Sequence, residues 1–457
     1  MIRLLFGDLV AHLWSWLGPA IVIAVTAFLL TGGAAFFETG AREGPLAAQT
    51  LVTTGSFLAA GATAAALLVI PGTARLAISL QRRTYALWML AGFPPRAVAS
   101  IVSWQFVVVG VVGSSVGAVI GSGVVPRFLE WMLAFQMASD TDLHLVFGPA
   151  ALLGVIGATT LIAVTAAVPA ARDAGRTPPL AVLREPVTTP TRMTPIRWIV
   201  LAALLLGAGG VLSGMLSGER ATIVGLGMLL PLVLAVAIAL VGPQIYPRVV
   251  LAWTAVVPAS LSVSWYLARH SARYRIGHSA AVISPLMIAI AVLSSFAAVL
   301  TEATASVALT QDDSVGYYGL DRPLLLLSMA TLIIGGPLVL ALTGTAVTAF
   351  VAGPNRARGT AALVAAGATG RQIVTASVWE AIIHVVTAAL LGTAITSTVA
   401  VATAASFALQ GVPVAVVVPL GWVAAPAAAG AGLILLATVL PTLATLTRSV
   451  RQELGVD

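Results

Sequence analysis

Neither lysine nor cysteine occurs anywhere in the chain, and the two absences exclude different chemistries. Without cysteine there is no disulfide, no thiol chemistry and no thiolate-bound metal. Without lysine there is no conventional Walker A loop, whose lysine reaches the β- and γ-phosphates of a nucleotide. If ATP drives this protein, another subunit binds the ATP. Charge is also scarce: 9% of the 457 residues are charged, against about 25% in soluble globular domains. Long polar segments are missing too. The connections near 124–146, 302–322 and 397–417 are the longest on their side of the chain, and none is long enough for an independent soluble domain.

What remains is apolar. Hydrophobic residues make up 59% of the sequence, and the mean hydropathy is +1.03. The apolar runs are rich in Ala, Leu, Val and Gly and reach about 20 residues or more, enough to cross a hydrocarbon core of about 30 Å as helix. They lack the short alternating segments of an outer-membrane barrel. The fold class expected is therefore an all-α polytopic membrane protein with about ten transmembrane helices and no large extracytoplasmic domain. The spans fall near 15–36, 51–70, 99–123, 147–169, 197–216, 221–242, 280–301, 323–350, 373–396 and 418–442. The first run, with Trp14, Trp16 and Pro19 near its start and no compact basic region beyond Arg3, reads as a retained span and not as a cleaved signal.

Placing the N-terminus in the cytoplasm puts Arg42, Arg127, Arg220 and Arg322 outside and the other 19 of the 23 basic residues inside. That is a strong positive-inside bias, with both termini cytoplasmic. The same bias accounts for the sequence pI near 10.7, so the basic balance points to a lipid surface and not to nucleic acid.

The sequence repeats itself. Arg83, Gly92, Arg96 and Trp104 line up without a gap on Arg358, Gly367, Arg371 and Trp379, each pair 275 positions apart. Spans 1–4 and 7–10 share one plan, giving a first half over 1–190, linker spans 5–6 over 191–250 and a second half over 251–457. Each half opens with an amphipathic lead-in, MIRLLFGDLVAHLWSW in the first and Ser264 to Val282 in the second. Repeats of like orientation imply an axis normal to the membrane.

Within the repeated motif, Gln81 to Gly92 is a run of good helix formers ending in a glycine suited to a left-handed cap. Pro94 and Pro95 stop that helix, and Pro95 can open the next. The second copy, Asn355 to Ile373, has Thr369 as a candidate N-cap instead. Arg96 and Arg371 sit at the head of a span, where a guanidinium can snorkel to lipid phosphate. Each short helix offers an apolar face (Leu87, Trp88 and Leu90; Leu363 and Val364). Such a helix, held to a span by a rigid turn, can pass on a push from a soluble partner; an ordinary basic loop lying on lipid is the alternative, and the residues alone leave both open.

At these residues the chain resembles the FtsX-like permeases, the membrane subunits of MacB/FtsX/BceB-type ABC transporters. The motifs that carry the resemblance are RR…LWMLAGFPPRAVASIVSWQF with GVVGSSVGAVIG after it, and RARGTAALVAAGATGRQIVTASVWEA. PAARDAGRTPPLAVLRE, Pro169 to Glu185, resembles the family's proline–basic ending. The resemblance implies that Arg82, Arg83, Leu87, Trp88, Leu90, Gly92 and Arg96, and in the second copy Arg356, Arg358, Leu363, Gly367 and Arg371, belong to coupling segments. These would dock on two copies of a separate ABC ATPase subunit. It implies no cofactor and no catalysis in this chain, with ATP and magnesium on the partner. It implies mechanotransmission in a bacterial cytoplasmic membrane, exporting a small lipophilic compound or peptide. MacB- and FtsX-type members carry an extracytoplasmic domain after the first span, where this chain has only residues 37–50; BceB-type members carry one between spans 7 and 8, where it has only 302–322. A plain exporter is the expectation, with an ATP-independent secondary transporter or a membrane scaffold as the alternative.

Two polar candidates lie elsewhere. Glu380 and His384 are one helical turn apart in span 9, and an ionisable residue in a span raises the question of function; a structural hydrogen-bonding role and proton coupling are the two readings. The cluster His270, Arg273, Arg275 and His278 lacks the ligands of a metal shell and reads as a solvated face on lipid headgroups. No motif of an intrinsic enzyme is present.

Overall fold

Long uninterrupted runs of Ala, Leu, Val and Gly leave the backbone one way to satisfy its polar groups in lipid, the helix. The computed structural model describes residues 7–9, 11–43, 45–137, 144–175, 195–258, 262–274, 276–310, 335–344, 346–347 and 363–446, and among them there is helix and no strand. In chain order the helices are α1 (Leu13–Gly40), α2 (Pro45–Leu80), α3 (Arg82–Leu90), α4 (Pro95–Met137), α5 (Pro149–Gly175), α6 (Pro195–Ser217), α7 (Arg220–Thr254), α8 (Val263–Tyr274), α9 (Ile276–Thr310), α10 (Gly370–Leu409) and α11 (Leu420–Leu446).

Eight of them are long and apolar enough to cross a membrane, and shorter apolar helices cover Gly335–Gly344 and Leu420–Leu436. The protein is an all-α polytopic membrane protein. The span expected at 323–350 lies mostly outside the described residues, as does the basic ending after Gly175.

Several helices outrun the expected spans. Helix α4 has 43 residues, about 65 Å at 1.5 Å per residue, and α10 has 40. The expected connections at 124–146 and 397–417 are therefore helical as far as Met137 and Leu409. Hydropathy falls where a helix leaves the apolar layer, but helix geometry continues through Pro126, with Leu129, Glu130, Met132 and Leu133 as good helix formers beyond it. The lead-in expected over Ser264 to Val282 is divided between α8 and the start of α9.

The chain forms two compact units, Met1–Pro190 with Thr331–Val351, and Thr191–Ala330 with Ala352–Asp457. In the first, α1 packs on α2, α4 and α5, and α4 packs on α5. In the second, α9 packs on α7, α10 and α11, and α10 packs on α11. Trp16, Val22, Ile23, Ile70, Val102 and Phe106 are buried in the core of the first unit, with Trp16 edge-on to Phe106 at 4.9 Å. Trp265 centres a core of the second with Val250 and Ile383.

A glycine at the same register position in each unit lies where two helices come close. A Cβ on Gly117 would strike the backbone of Ala24, so α4 and α1 touch main chain to main chain. At Gly392, which is 275 positions later, a Cβ would lie 2.7 Å from Ile290 Cγ2 and 3.3 Å from the Ala291 nitrogen. Such contact supplies dispersion where lipid offers no hydrophobic drive. A Ser294–Thr396 hydroxyl pair at 2.6 Å adds a hydrogen bond across the second crossing.

At the helix ends away from α3, carboxylates capture backbone. Glu38 accepts the Gly148 N–H at 2.7 Å and pairs with Arg42 at 2.8 Å. Glu130 accepts the Leu145 N–H at 2.6 Å. In the second unit Glu302 accepts the Val417 N–H at 3.1 Å; the sequence suggests an exposed connection there, but Glu302 is buried. These bonds anchor the extended segments that lead into α5 and α11.

The crossings yield an ordered expectation. Gly117→Val meets rigid backbone and should destabilise by about 1–3 kcal/mol, the overpacking range. Gly392→Val meets mainly a side chain that can turn away and should cost less. Thermal unfolding of the purified protein in detergent checks the order; equal melting of both variants and wild type contradicts the crossing geometry.

Candidate functional site: the short helix α3 and its second copy

Helix α3 is nine residues long and stands between two long helices. Gln81 carries the joint with α2: it is not helical in its own backbone, with φ −102° and ψ 4°. At the other end the chain closes in a Schellman motif. The Phe93 N–H donates to the Trp88 carbonyl and the Gly92 N–H to the Met89 carbonyl, both at 3.1 Å. Gly92 has φ +95°, and a Cβ there would meet no atom within 4 Å, so the left-handed backbone alone demands glycine. Trp88 and Phe93, the C3 and C″ residues, make the accompanying ring contact at 6.4 Å.

The second copy repeats this geometry. The Ala368 N–H donates to the Leu363 carbonyl and the Gly367 N–H to the Val364 carbonyl, both at 2.9 Å, and Gly367 has φ +93°. The restart differs. Pro95 opens α4, whereas α10 opens on a capping box: Thr369 Oγ1 accepts the Gln372 N–H, and the Gln372 side chain accepts the Thr369 N–H. One copy fixes the restart with a locked φ and the other with two hydrogen bonds.

The side chains of α3 divide by face. Tyr85 and Ala86 are buried, while Arg83, Leu87 and Leu90 are exposed and spaced on one stripe. Half of Leu87 and of Leu90 is open. Arg82 and Trp88 are half-buried at the edges. Around the turn, Gly92 and Arg96 are exposed. In the second copy Leu363 is half-buried and Gly367 and Arg371 are exposed, whereas Arg356 and Arg358 lie outside the described residues. The repeated tryptophans occupy different surroundings. Trp104 is 60% exposed, while Trp379 packs edge-on against Trp265 at 5.2 Å.

Behind α3 runs a set of buried polar groups that the sequence motif does not announce. The Tyr85 hydroxyl donates to Gln81 Oε1 at 2.6 Å, and Gln81 Nε2 donates to Ser15 Oγ at 2.5 Å. Burial pushes the Tyr85 hydroxyl well above the usual phenol range, with Asp8 adding to the shift; the phenol stays protonated and acts as a donor. Asp8 is buried as well and accepts from Gln105 Nε2 at 2.8 Å.

Gln105 has its counterpart in Glu380, again 275 positions on. Glu380 Oε2 accepts from Ser271 on α8 at 3.2 Å. Each lead-in is thus tied to the long helix that restarts after the glycine turn, α4 or α10, by one acid and one neutral group, with the acid on the lead-in in the first unit and on the helix in the second. His384 is buried and lies 3.0 Å from Ser279 Oγ. Ser279 spends its own proton on the Ala272 carbonyl, so His384 Nε2 is the donor. Glu380 and His384 therefore each bond to a serine of the α8–α9 segment, and among the described residues no group of acids and histidines is placed to hold a metal.

These features define the class as a polytopic helical membrane protein with a short helix, exposed on one face, mounted between two long helices. Residues 56–179 match the family described as FtsX-like permease C-terminal, a stretch running from α2 through α3 and α4 to the end of α5. Over that stretch, about a quarter of its length, the chain is similar to the FtsX-like permeases. No curated protein matches the chain.

The geometry at the two restarts gives separate expectations. Gly92→Ala should destabilise the α3 turn by ~1 kcal/mol through strain alone, since no clash accompanies it. Thr369→Ala should cost about 0.5–2 kcal/mol by removal of the cap. Hydrogen exchange at Leu90–Phe93 and at Gln372–Ile373 reads these locally; protection unchanged at both sites contradicts the assignment.

Proposed function

We infer that this chain is the permease subunit of an ATP-driven exporter, and that α3 and the segment ending at Gly367 are its two coupling elements. The observation that carries the reading is the exposed stripe Arg83, Leu87 and Leu90 on a short helix set between two long ones, within the stretch that matches the family. The partner supplied by this reading is a separate ATPase subunit in two copies, one per coupling element, in keeping with a chain that has no lysine for a Walker A loop.

In this reading the chain has two FtsX-like halves, with spans 1–4 and 7–10, and spans 5–6 between them. The recurrence at 275 positions of the left-handed glycine, of the near-contact glycine and of the tethering residue on the long helix, Gln105 and Glu380, supports it. The arginine distribution supports a cytoplasmic location for α3, for both termini and for the second coupling element. ATPase closure then presses both elements and tilts the long helices they lead into, α4 and α10. The cargo fitting a chain without a large soluble domain is a small lipophilic compound or peptide taken from the membrane, in a bacterial cytoplasmic membrane.

Purification of the tagged chain from its own membranes tests this. A copurifying polypeptide with ATP hydrolysis is expected with the wild type, and much less of it with the Arg83→Glu/Leu87→Asp double variant. Equal hydrolysis in both preparations, or none in either, overturns the coupling assignment.

A further inference from the structure

The buried polar groups behind α3 do more than satisfy one another, because they join α3 to the foot of α1, to the lead-in and to α4. The Tyr85 hydroxyl donates to Gln81 Oε1. Gln81 Nε2 then donates to Ser15 Oγ, and the Ser15 hydroxyl donates to the His12 carbonyl at 2.7 Å. His12 Nδ1 lies 3.2 Å from Asp8 Oδ1, and Asp8 Oδ2 takes the amide of Gln105 on α4. One string thus passes from α3 through its joint with α2, across the foot of α1, down the lead-in and onto α4. The three donors from Tyr85 to Ser15 are aligned, and aligned donors polarise from bond to bond; Gln105 closes the far end by donating back to Asp8. Tyr85 is fully buried and Gln81 is 1% exposed, so water does not compete for either bond.

We propose that Gln81 and Tyr85 are the positioning residues of the coupling helix: the string locks the angle of α3 and delivers its displacement to the foot of α1 and to α4. This rests on the coupling reading above. The backbone turn at Gly92 joins α3 to α4 only through Phe93 and Pro94, and at the other end a single non-helical residue, Gln81, joins it to α2. A nine-residue helix between two such joints pivots unless a side chain braces it. Gln81 supplies that brace by holding Ser15 with its amide nitrogen and Tyr85 with its amide oxygen. The register places Arg356 and Thr360 at the positions of Gln81 and Tyr85 in the second copy, so this amide–phenol pair occurs once. The two coupling elements are then unequal, and the first one is braced to the span-1 foot.

The absence of native cysteine makes a direct test clean. Spin labels at Leu90→Cys and Val112→Cys, both exposed, report the angle between α3 and α4 in the full-length protein without any partner. The parent with labels should give one narrow distance distribution. Tyr85→Phe, which keeps the buried ring and its edge contact with Trp88, should broaden it, and Gln81→Leu should do the same. The double variant should broaden it no further than either alone, since both cut one string. Equal widths in all four proteins, at equal melting temperature, overturn the brace and leave the coupling reading untouched. In vesicles with the copurified ATPase, Tyr85→Phe should lower transport about two- to tenfold, the range spanned by one lost hydrogen bond, with the amount of bound ATPase unchanged. A matching fall in bound ATPase instead places the damage on the docking stripe and also overturns the brace. Failure of the wild type to bind any ATPase overturns the coupling reading, while the distance widths still decide the brace.

Discussion

A backbone inside lipid has no water to turn to, so it stays helical for as long as it is in the apolar layer. In this chain that constraint is met by helices of up to 43 residues, and it makes each interruption informative. Most of the breaks are simple connections. The break at Gln81 and the one at Gly92 are not, because each is stabilised by named bonds and because the second recurs with the same pair of hydrogen bonds and nearly the same φ at Gly367. The architecture spends its specific interactions where a helix must stop, turn and start again within a few residues.

The two copies reach one geometry by different chemistry. Pro94 and Pro95 restrict the chain before it folds, whereas Thr369 and Gln372 trade hydrogen bonds after it folds. The lead-in tether shows the same freedom: Asp8 with Gln105 in one unit, Glu380 with Ser271 in the other. What persists is the position of a buried acid–donor pair between lead-in and long helix. The residue carrying the charge has changed sides. On sequence alone Glu380 admits a structural hydrogen-bonding role and proton coupling; in the structure it accepts from Ser271 at the register position that Gln105 holds in the first unit.

Much of this was legible in the residues. Composition identifies the helical membrane class, and the pattern at Gly92 and Pro95 locates both ends of the turn, because glycine and proline act through local backbone sterics that need no tertiary knowledge. Thr369 was readable for the same reason. The lengths of α4 and α10 were not, since hydropathy marks where a helix meets lipid and is silent on where it ends. Nor was the Tyr85–Gln81–Ser15 string: Gln81 and Ser15 are 66 positions apart, and no spacing rule links them. Nor was the bond of Glu302, at the start of the connection expected near 302–322: it is buried and accepts the Val417 N–H, 115 positions away.

The near-contact glycines fall close to the middle of the long helices they belong to. Gly117 lies 22 residues from Pro95 and 20 from Met137, about 33 Å and 30 Å along the axis. Gly392 lies 22 residues from Gly370 and 17 from Leu409. A rod gripped near its centre behaves as a seesaw, so displacement at one end reappears at the other with reversed sign and nearly undiminished size. For α4, a tilt of ten degrees or so about that fulcrum swings each tip by about 5 Å. Under the coupling role proposed above, mechanical advantage close to unity would relay stroke length from one end of α4 to the other and neither amplify nor damp it.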